Sequence, residues 1–205
     1  DAVKFAAAYG TFIKKRNPSK DNIRVVIGRD ARISGKMISS LVANTLVGLG
    51  IDVIDLGLST TPTVEVAVPL ENADGGIILT ASHNPKQWNA LKLLNEKGEF
   101  ISAEDGKKLL EFISNKEFYF EDVDNLGKII EKTHYIDEHI KDILNLSSVD
   151  IEAIKKANIN VFSIDCLISS SSLDSCSLVS SRLLCHNCLS CASTFLFLRG
   201  IDAGT

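Results

Sequence analysis

Gly76-Ile77-Ile78-Leu79-Thr80-Ala81-Ser82-His83-Asn84-Pro85-Lys86-Gln87-Trp88-Asn89-Ala90-Leu91-Lys92 is the stretch on which the reading of this chain turns. Its first four residues are an apolar, strand-like run that delivers a small serine onto a turn fixed by Pro85. The next side chain is an imidazole, able to carry a proton near neutral pH. A serine hydroxyl so placed can act as a nucleophile or carry a phosphoryl group, provided that cations or a metal neutralise the charge and a base takes the proton. Lys92 offers one positive charge. The same residues also suit an ordinary loop, in which Ser82 and Asn84 bond nearby backbone and Lys92 points into water. The chemistry of the residues alone leaves both readings open.

The string itself narrows the choice. Thr80-Ala81-Ser82-His83-Asn84-Pro85, followed by Asn89 and Lys92, closely resembles the active-site loop of the α-D-phosphohexomutase superfamily, which includes phosphoglucomutases, phosphomannomutases and phosphoglucosamine mutases. Gly28-Arg29-Asp30-Ala31-Arg32, followed by Ser34-Gly35, resembles a second motif of the same family, and the spacing between the two is that of its first domain. The resemblance implies a three-layer α/β/α domain with a mixed, mostly parallel sheet. It also implies that Ser82 is the residue that becomes phosphorylated, with His83 and Lys92 as candidates for proton transfer and phosphate stabilisation.

The chain has 205 residues, 45% hydrophobic and 23% charged, enough for one good core and part of a second unit. A net charge of −4 and a pI near 5.6 argue against a surface that coats nucleic acid, which needs clustered Lys and Arg. An anionic sugar phosphate must therefore be held by a local pocket. No uninterrupted apolar segment approaches the roughly 20 residues that span a bilayer, and no signal-like pattern opens the chain. A soluble, cytoplasmic protein without a membrane partner is the expectation; oligomeric state is not legible. The first residue is not methionine, and upstream residues are expected to be missing. The arginine-bearing loop with which family members usually begin is not found.

Taken in order, Val3 to Ile13 has apolar residues at helical spacing, and Lys14-Lys15-Arg16 closes the last turn where cations suit the helix dipole. Ile23 to Ile27 reads as a β-branched strand ending at Gly28. The Arg29 to Gly35 segment falls where a strand end meets a helix start, the place where open α/β sheets put ligand-contacting loops. There Asp30 and Arg32 either pair to brace the loop or Arg32 faces the phosphate. Ser34 reads as a helix N-cap, and Ile38, Leu41, Val42, Thr45, Leu46 and Leu49 form a helical stripe stopped by Gly50. Ile51 to Leu56 is the next strand, and Thr60-Thr61-Pro62 opens a short helix through about Val68. Gly75 and Gly76 read as turn residues ahead of the strand Ile77 to Leu79. Leu91 to Leu94 returns as a strand, with Asn95 to Gly98 as a hairpin turn into Glu99-Phe100-Ile101. Ser102 opens a helix to about Ile113; a polar and acidic connector follows, then helices over His134 to Leu144 and Val149 to Ala157. His134 and His139 have no partner motif and read as exposed or capping residues. The expected domains are 1–147, carrying the Ser82 loop, and 148–165, the start of a second domain with a strand from Ile159 to Ile164.

From Cys166 onward the composition changes to Ser, Leu and Cys, and all 5 cysteines lie in this 166–205 tail. A shifted reading frame or an assembly error is the leading expectation; sequencing the locus across the Asp165 codon decides it. The rival takes Cys185-His186-Asn187-Cys188-Leu189-Ser190-Cys191 as zinc or iron–sulfur ligands, with His186 or Cys176 completing the set, but the matched second pair that marks zinc ribbons is absent.

The resemblance implies interconversion of a hexose 1-phosphate and its 6-phosphate, with glucosamine, glucose or mannose phosphate as substrate, through phosphoserine 82 and a sugar 1,6-bisphosphate that also serves as activator. It implies Mg²⁺, held by the Ser82 phosphate together with an aspartate-rich loop of the second domain that is not found here. Arg32, Asp30, Asn84 and Asn89 are the expected loop-supporting or phosphate-facing residues, and Ser82 is the one metal ligand that can be placed. The 205 residues alone are expected to be inactive as a mutase. The alternatives are a non-catalytic isolated α/β domain and, more weakly, a serine hydrolase, for which a G-x-S-x-G elbow and an assignable Asp–His pair are lacking.

Overall fold

The computed structural model describes residues 1–82, 84–85 and 87–157. The strand expected at Ile159 to Ile164, the tail from Cys166 with its cysteine run, and His83 within the loop all lie outside the described residues. Strands β1 (Arg24–Arg29), β2 (Asp52–Leu58), β3 (Gly75–Leu79), β4 (Leu91–Leu94) and β5 (Ile129–Glu131) form one sheet in the order β4-β3-β1-β2-β5. All neighbours pair parallel except β4, which returns antiparallel to β3. The helices are α1 (Ala2–Arg16), α2 (Gly35–Gly48), α3 (Thr61–Leu70), α4 (Ala103–Asn115), α5 (Tyr135–Leu144) and α6 (Ile151–Ala157).

Successive side chains of a strand point to opposite faces, so the central strands must supply two apolar layers. Val25, Ile27, Val53, Ile77 and Leu79 pack with Tyr9 and Phe12 of α1, Leu46 of α2 and Leu109 of α4. Val26, Ile54, Leu56 and Ile78 pack on the other face with Val64 and Val68 of α3 and Tyr135 of α5. The expected α/β/α layering and mostly parallel sheet are therefore present. No helix among the described residues is long and apolar enough to cross a membrane.

Four local expectations are corrected. Gly75 and Gly76 are not a turn but the first residues of β3. Tyr9, fully buried, reaches across the sheet there and donates its hydroxyl to the carbonyls of Gly76 (3.2 Å) and Leu94 (2.6 Å), and a Cβ at Gly75 would sit 2.1 Å from that oxygen. The connector after α4 holds β5, an edge strand of 3 residues in register with Val53 to Asp55. Glu99 to Ile101 makes only a single bridge, Phe100 to Leu94, because the Asn95 carboxamide oxygen collects the amides of Lys97 and Glu99 and curls the turn on itself. The last helix begins at Ile151 rather than Val149, with the Asp150 carboxylate accepting from the Ala153 amide.

The far face carries a buried polar knot that ties α3 to the β5–α5 segment. Glu71, at the end of α3, accepts from Lys132 Nζ (2.7 Å) and from the Tyr135 hydroxyl. Burial pushes the Glu71 carboxyl up, but the hydrogen bonds from Lys132 and Tyr135 outweigh it and leave the carboxyl below its usual value. The Tyr135 hydroxyl is pushed up by burial and by its bond to Glu71, so it stays a donor. A depressed carboxyl stabilises the fold above its unfolded pKa of about 4.3 and loses that contribution as pH falls through the folded value. Glu71→Gln is therefore expected to be less stable than the wild type at pH 7 and to show a shallower loss of stability on acidification below about pH 5, read from urea melts across that range.

Candidate functional site

The chain runs from β1 through α2 to β2 on one side of β1, then crosses back through α3 to β3 on the other side. The carboxyl edge between β1 and β3 is thus the topological switch point, where diverging connections leave a crevice. Both sequence motifs open onto it. Asp30 to Ser34 follows β1 and the Ser82 loop follows β3, and the Asp30 amide donates to the Leu79 carbonyl (3.0 Å) where the two strands end.

The loop is closed at its base by the Thr80 amide donating to the Ala90 carbonyl (3.1 Å). Within it, Asn84 donates from both its amide (3.0 Å) and its Nδ2 (2.9 Å) to the Ala81 carbonyl, and the Trp88 amide donates to the Pro85 carbonyl (2.9 Å). Ser82 is exposed and has φ +51°, a left-handed conformation uncommon outside glycine. Its amide donates to Thr80 Oγ1 (3.2 Å), and its carbonyl accepts from Arg32 Nη2 (2.7 Å).

Arg32 organises the rest. Its Nε donates to Asp30 Oδ2 (3.1 Å), its Nη1 to the carbonyls of Pro85 (2.9 Å) and Trp88 (3.1 Å), and its Nη2 to those of Ser82 (2.7 Å) and Asn84 (2.9 Å). A guanidinium has five N–H groups in a fixed plane, and here each is engaged. Asp30 orients the fork by also accepting the Arg32 amide (3.1 Å). The choice left open by sequence, between bracing the loop and facing an anion, falls in this geometry to bracing. The guanidinium side chain is only 12% exposed, so these bonds form in partial shelter from water and are charge-assisted.

Asn89 is half-buried; its Nδ2 lies 3.4 Å from Ser34 Oγ and its Oδ1 accepts the Ala90 amide. Ser34 stands at the N-cap position of α2 but its hydroxyl makes no capping bond, because its backbone is already helical there. Lys92 is opposite Ile78 on β4, which puts it on the α3 side of the sheet, half-buried. His134 pairs with Glu138, and His139 Nδ1 lies 3.0 Å from Thr63 Oγ1, so both histidines serve α5 and its packing on α3. Thr80 is the supporting residue that the sequence reading passed over. A threonine two positions before a residue at a turn is the available signal, since its hydroxyl can accept that residue's amide.

The left-handed Ser82 yields a direct stability test. A Cβ in that conformation costs about 1 kcal/mol, whereas at an ordinary position glycine is the less stable choice by about 0.5–1 kcal/mol. Ser82→Gly is thus expected to equal or exceed Ser82→Ala in stability, reversing the usual order. Alanine clearly above glycine by thermal melting would show that the loop does not hold this conformation.

The comparisons with known proteins agree with the fold and the two motifs. The model of phosphoglucomutase/phosphomannomutase, alpha/beta/alpha domain I, matches residues 1–120. A phosphoglucomutase/phosphomannomutase of Thermococcus kodakarensis is 37% identical over 155 residues, 76% of this chain and 33% of that protein. A phosphoglucosamine/phosphogalactosamine mutase of Sulfurisphaera tokodaii is 33% identical, covering 78% of this chain and 33% of its own length. Among solved structures, a phosphoglucomutase/phosphomannomutase family protein from Burkholderia thailandensis superposes with a TM-score of 0.59 at 26% identity over 70% of this chain and 31% of its own. The chain spans about a third of the length of these curated relatives. With its two motifs meeting at one sheet edge and its first 120 residues matched, the chain belongs to the phosphoglucomutase/phosphomannomutase family and carries that family's α/β/α domain I.

Proposed function

We propose that Ser82 accepts and returns a phosphoryl group within a hexose phosphate mutase that interconverts 1- and 6-phosphates. The observation that carries the reading is the conformation of Ser82: an exposed serine in the left-handed region, fixed on both sides by Thr80 and Arg32 at the switch point of the sheet. Backbone strain maintained by dedicated contacts costs stability, and positioning of a reacting group is what it returns.

In the exchange with a sugar 1,6-bisphosphate, Ser82 Oγ forms a bond to phosphorus as the sugar C–O oxygen leaves. The serine proton ends on the released sugar hydroxyl, and the reverse transfer restores free Ser82. Little covalent chemistry is asked of the protein beyond alignment and charge neutralisation. By their place in the family motif, His83 and Lys92 are the candidates for moving that proton and for holding the phosphate; Arg32, Asp30, Asn84 and Asn89 support the loop.

Mg²⁺ needs an octahedron of oxygens. The described residues contain no group of three or more acidic, His or Cys side chains able to hold a metal, and Ser82 supplies a single oxygen. They do not form a Mg²⁺ site by themselves, and no step is derived through the ion. Accordingly these 205 residues are expected to exchange phosphate at Ser82 without sustained mutase turnover. Residues 1–147 are read as domain I, with the boundary in the link between α5 and α6, and a cytoplasmic location is part of the same proposal.

The test is incubation of the chain with glucose 1,6-bisphosphate followed by peptide mass spectrometry. One added phosphoryl group on Ser82, absent in Ser82→Ala, supports the reading. An unlabelled wild-type chain with an intact fold would instead mark a non-catalytic domain, and sustained isomerisation of glucosamine, glucose or mannose phosphates by this chain would overturn the expectation of inactivity.

A further inference from the structure

Trp88 is the one tryptophan of the sequence, and the residue is 60% exposed within the Ser82 loop. An aromatic ring left in water on a mobile loop would carry little meaning, but this backbone is pinned on both sides. The Trp88 amide donates to the Pro85 carbonyl (2.9 Å), and its own carbonyl accepts from Arg32 Nη1 (3.1 Å). The same guanidinium holds the Ser82 carbonyl through Nη2 (2.7 Å). One rigid planar group therefore holds the main chain both at the phosphoryl acceptor and at the residue that bears the loop's large aromatic side chain. The indole also keeps an N–H donor at its edge. A ring of this kind presents a broad apolar face of negative potential with a polar rim, which complements a pyranose: C–H bonds on its faces and hydroxyls around its edge.

We infer that Trp88 is the sugar-ring platform of this site, stacking on the hexose whose phosphate meets Ser82, and that it favours cyclic over open-chain phosphate donors. The inference rests on the proposed phosphoryl transfer at Ser82. Trp88 is assigned to binding of the ring, and Ser82 retains the chemistry.

The experiment compares two donors with the full chain: glucose 1,6-bisphosphate, and hexane-1,6-diol bisphosphate, which carries two phosphates and no ring. Rates of Ser82 labelling are measured against donor concentration for the wild type, Trp88→Phe and Trp88→Ala, with circular dichroism confirming the fold of each. Trp88→Ala is expected to raise the half-saturating concentration of the glucose donor by about tenfold, Trp88→Phe by much less, and neither to change labelling by the ring-free donor. In Ser82→Ala, which cannot be labelled, the glucose donor is expected to shift or quench the emission of the lone tryptophan, and the ring-free donor to leave it unchanged. Equal loss with both donors would assign Trp88 a merely structural part in the loop and overturn the inference, as would unchanged labelling of Trp88→Ala by the glucose donor. Failure of the wild type to be labelled by either donor would remove the Ser82 reading itself, and the platform with it.

Discussion

Arg32→Ala is expected to slow labelling of Ser82 by glucose 1,6-bisphosphate about a hundredfold or more, and Arg32→Lys to recover little of it. The guanidinium is the common partner of four loop carbonyls and of Asp30. Removing it releases the Ser82 carbonyl from its 2.7 Å bond, while the Thr80 hydroxyl still accepts the Ser82 amide. A misplacement of about 1 Å in a reacting group is enough for a loss of that size. Lysine preserves the charge but offers three rotatable donors from one point, which cannot span carbonyls lying on both arms of a planar fork. Two measurements separate this from simple unfolding. Hydrogen exchange should rise at the Asn84 and Trp88 amides and stay unchanged in β1 and β2. The concentration of donor giving half-maximal labelling should move less than the maximal rate. A Lys variant that labels Ser82 within about threefold of the wild type would mean that charge, and not the fork, is what the loop requires.

A large stability effect is expected at Gly75. A methyl group there would lie 2.1 Å from the Tyr9 hydroxyl and 2.9 Å from the Leu94 carbonyl oxygen. Neither neighbour can yield cheaply, since Tyr9 is fully buried and its hydroxyl bonds the carbonyls of Gly76 and Leu94, while the Leu94 backbone belongs to β4. Gly75→Ala must either expel the hydroxyl from its bonds or push β4 away from β3, and a cost of about 3 kcal/mol or more is expected. That is a large share of the 5–15 kcal/mol that holds a typical domain together. Tyr9→Phe deletes the oxygen that the new methyl would strike, so the double variant should lose clearly less than the sum of the two single ones, a coupling that equilibrium denaturation can read. Gly106 provides the opposite case on the same protein. It lies inside α4 with nothing within 4 Å of a new Cβ, and Gly106→Ala should stabilise by up to about 1 kcal/mol.

What the sequence disclosed, and what it did not, follows from the range of the interactions involved. The β-branched strands, the helical stripes of α1 and α2 and the Ser82 loop are written in neighbouring residues, and each was found within a few positions of its observed limits. Gly75-Gly76 was misread because the atoms that leave no room for a Cβ come from elsewhere in the chain, the Tyr9 hydroxyl at Gly75 and Val68 Cγ2 at Gly76. β5 was missed because an edge strand of 3 residues has no periodicity of its own and is recognised only by its pairing with β2. The site shows the same division. Ser82 and Arg32 stood out as residue types in motifs, but whether Arg32 faces a ligand or the loop depends on carbonyls 50 to 56 positions away.

The torsion angle at position 82 has an implication for side-chain identity. Threonine would offer phosphorus the same kind of oxygen, yet a second substituent on Cβ is poorly accommodated at φ +51°, where even an unbranched residue is uncommon. Between two alcohols of equivalent reactivity, then, it is the main chain that admits one and turns the other away.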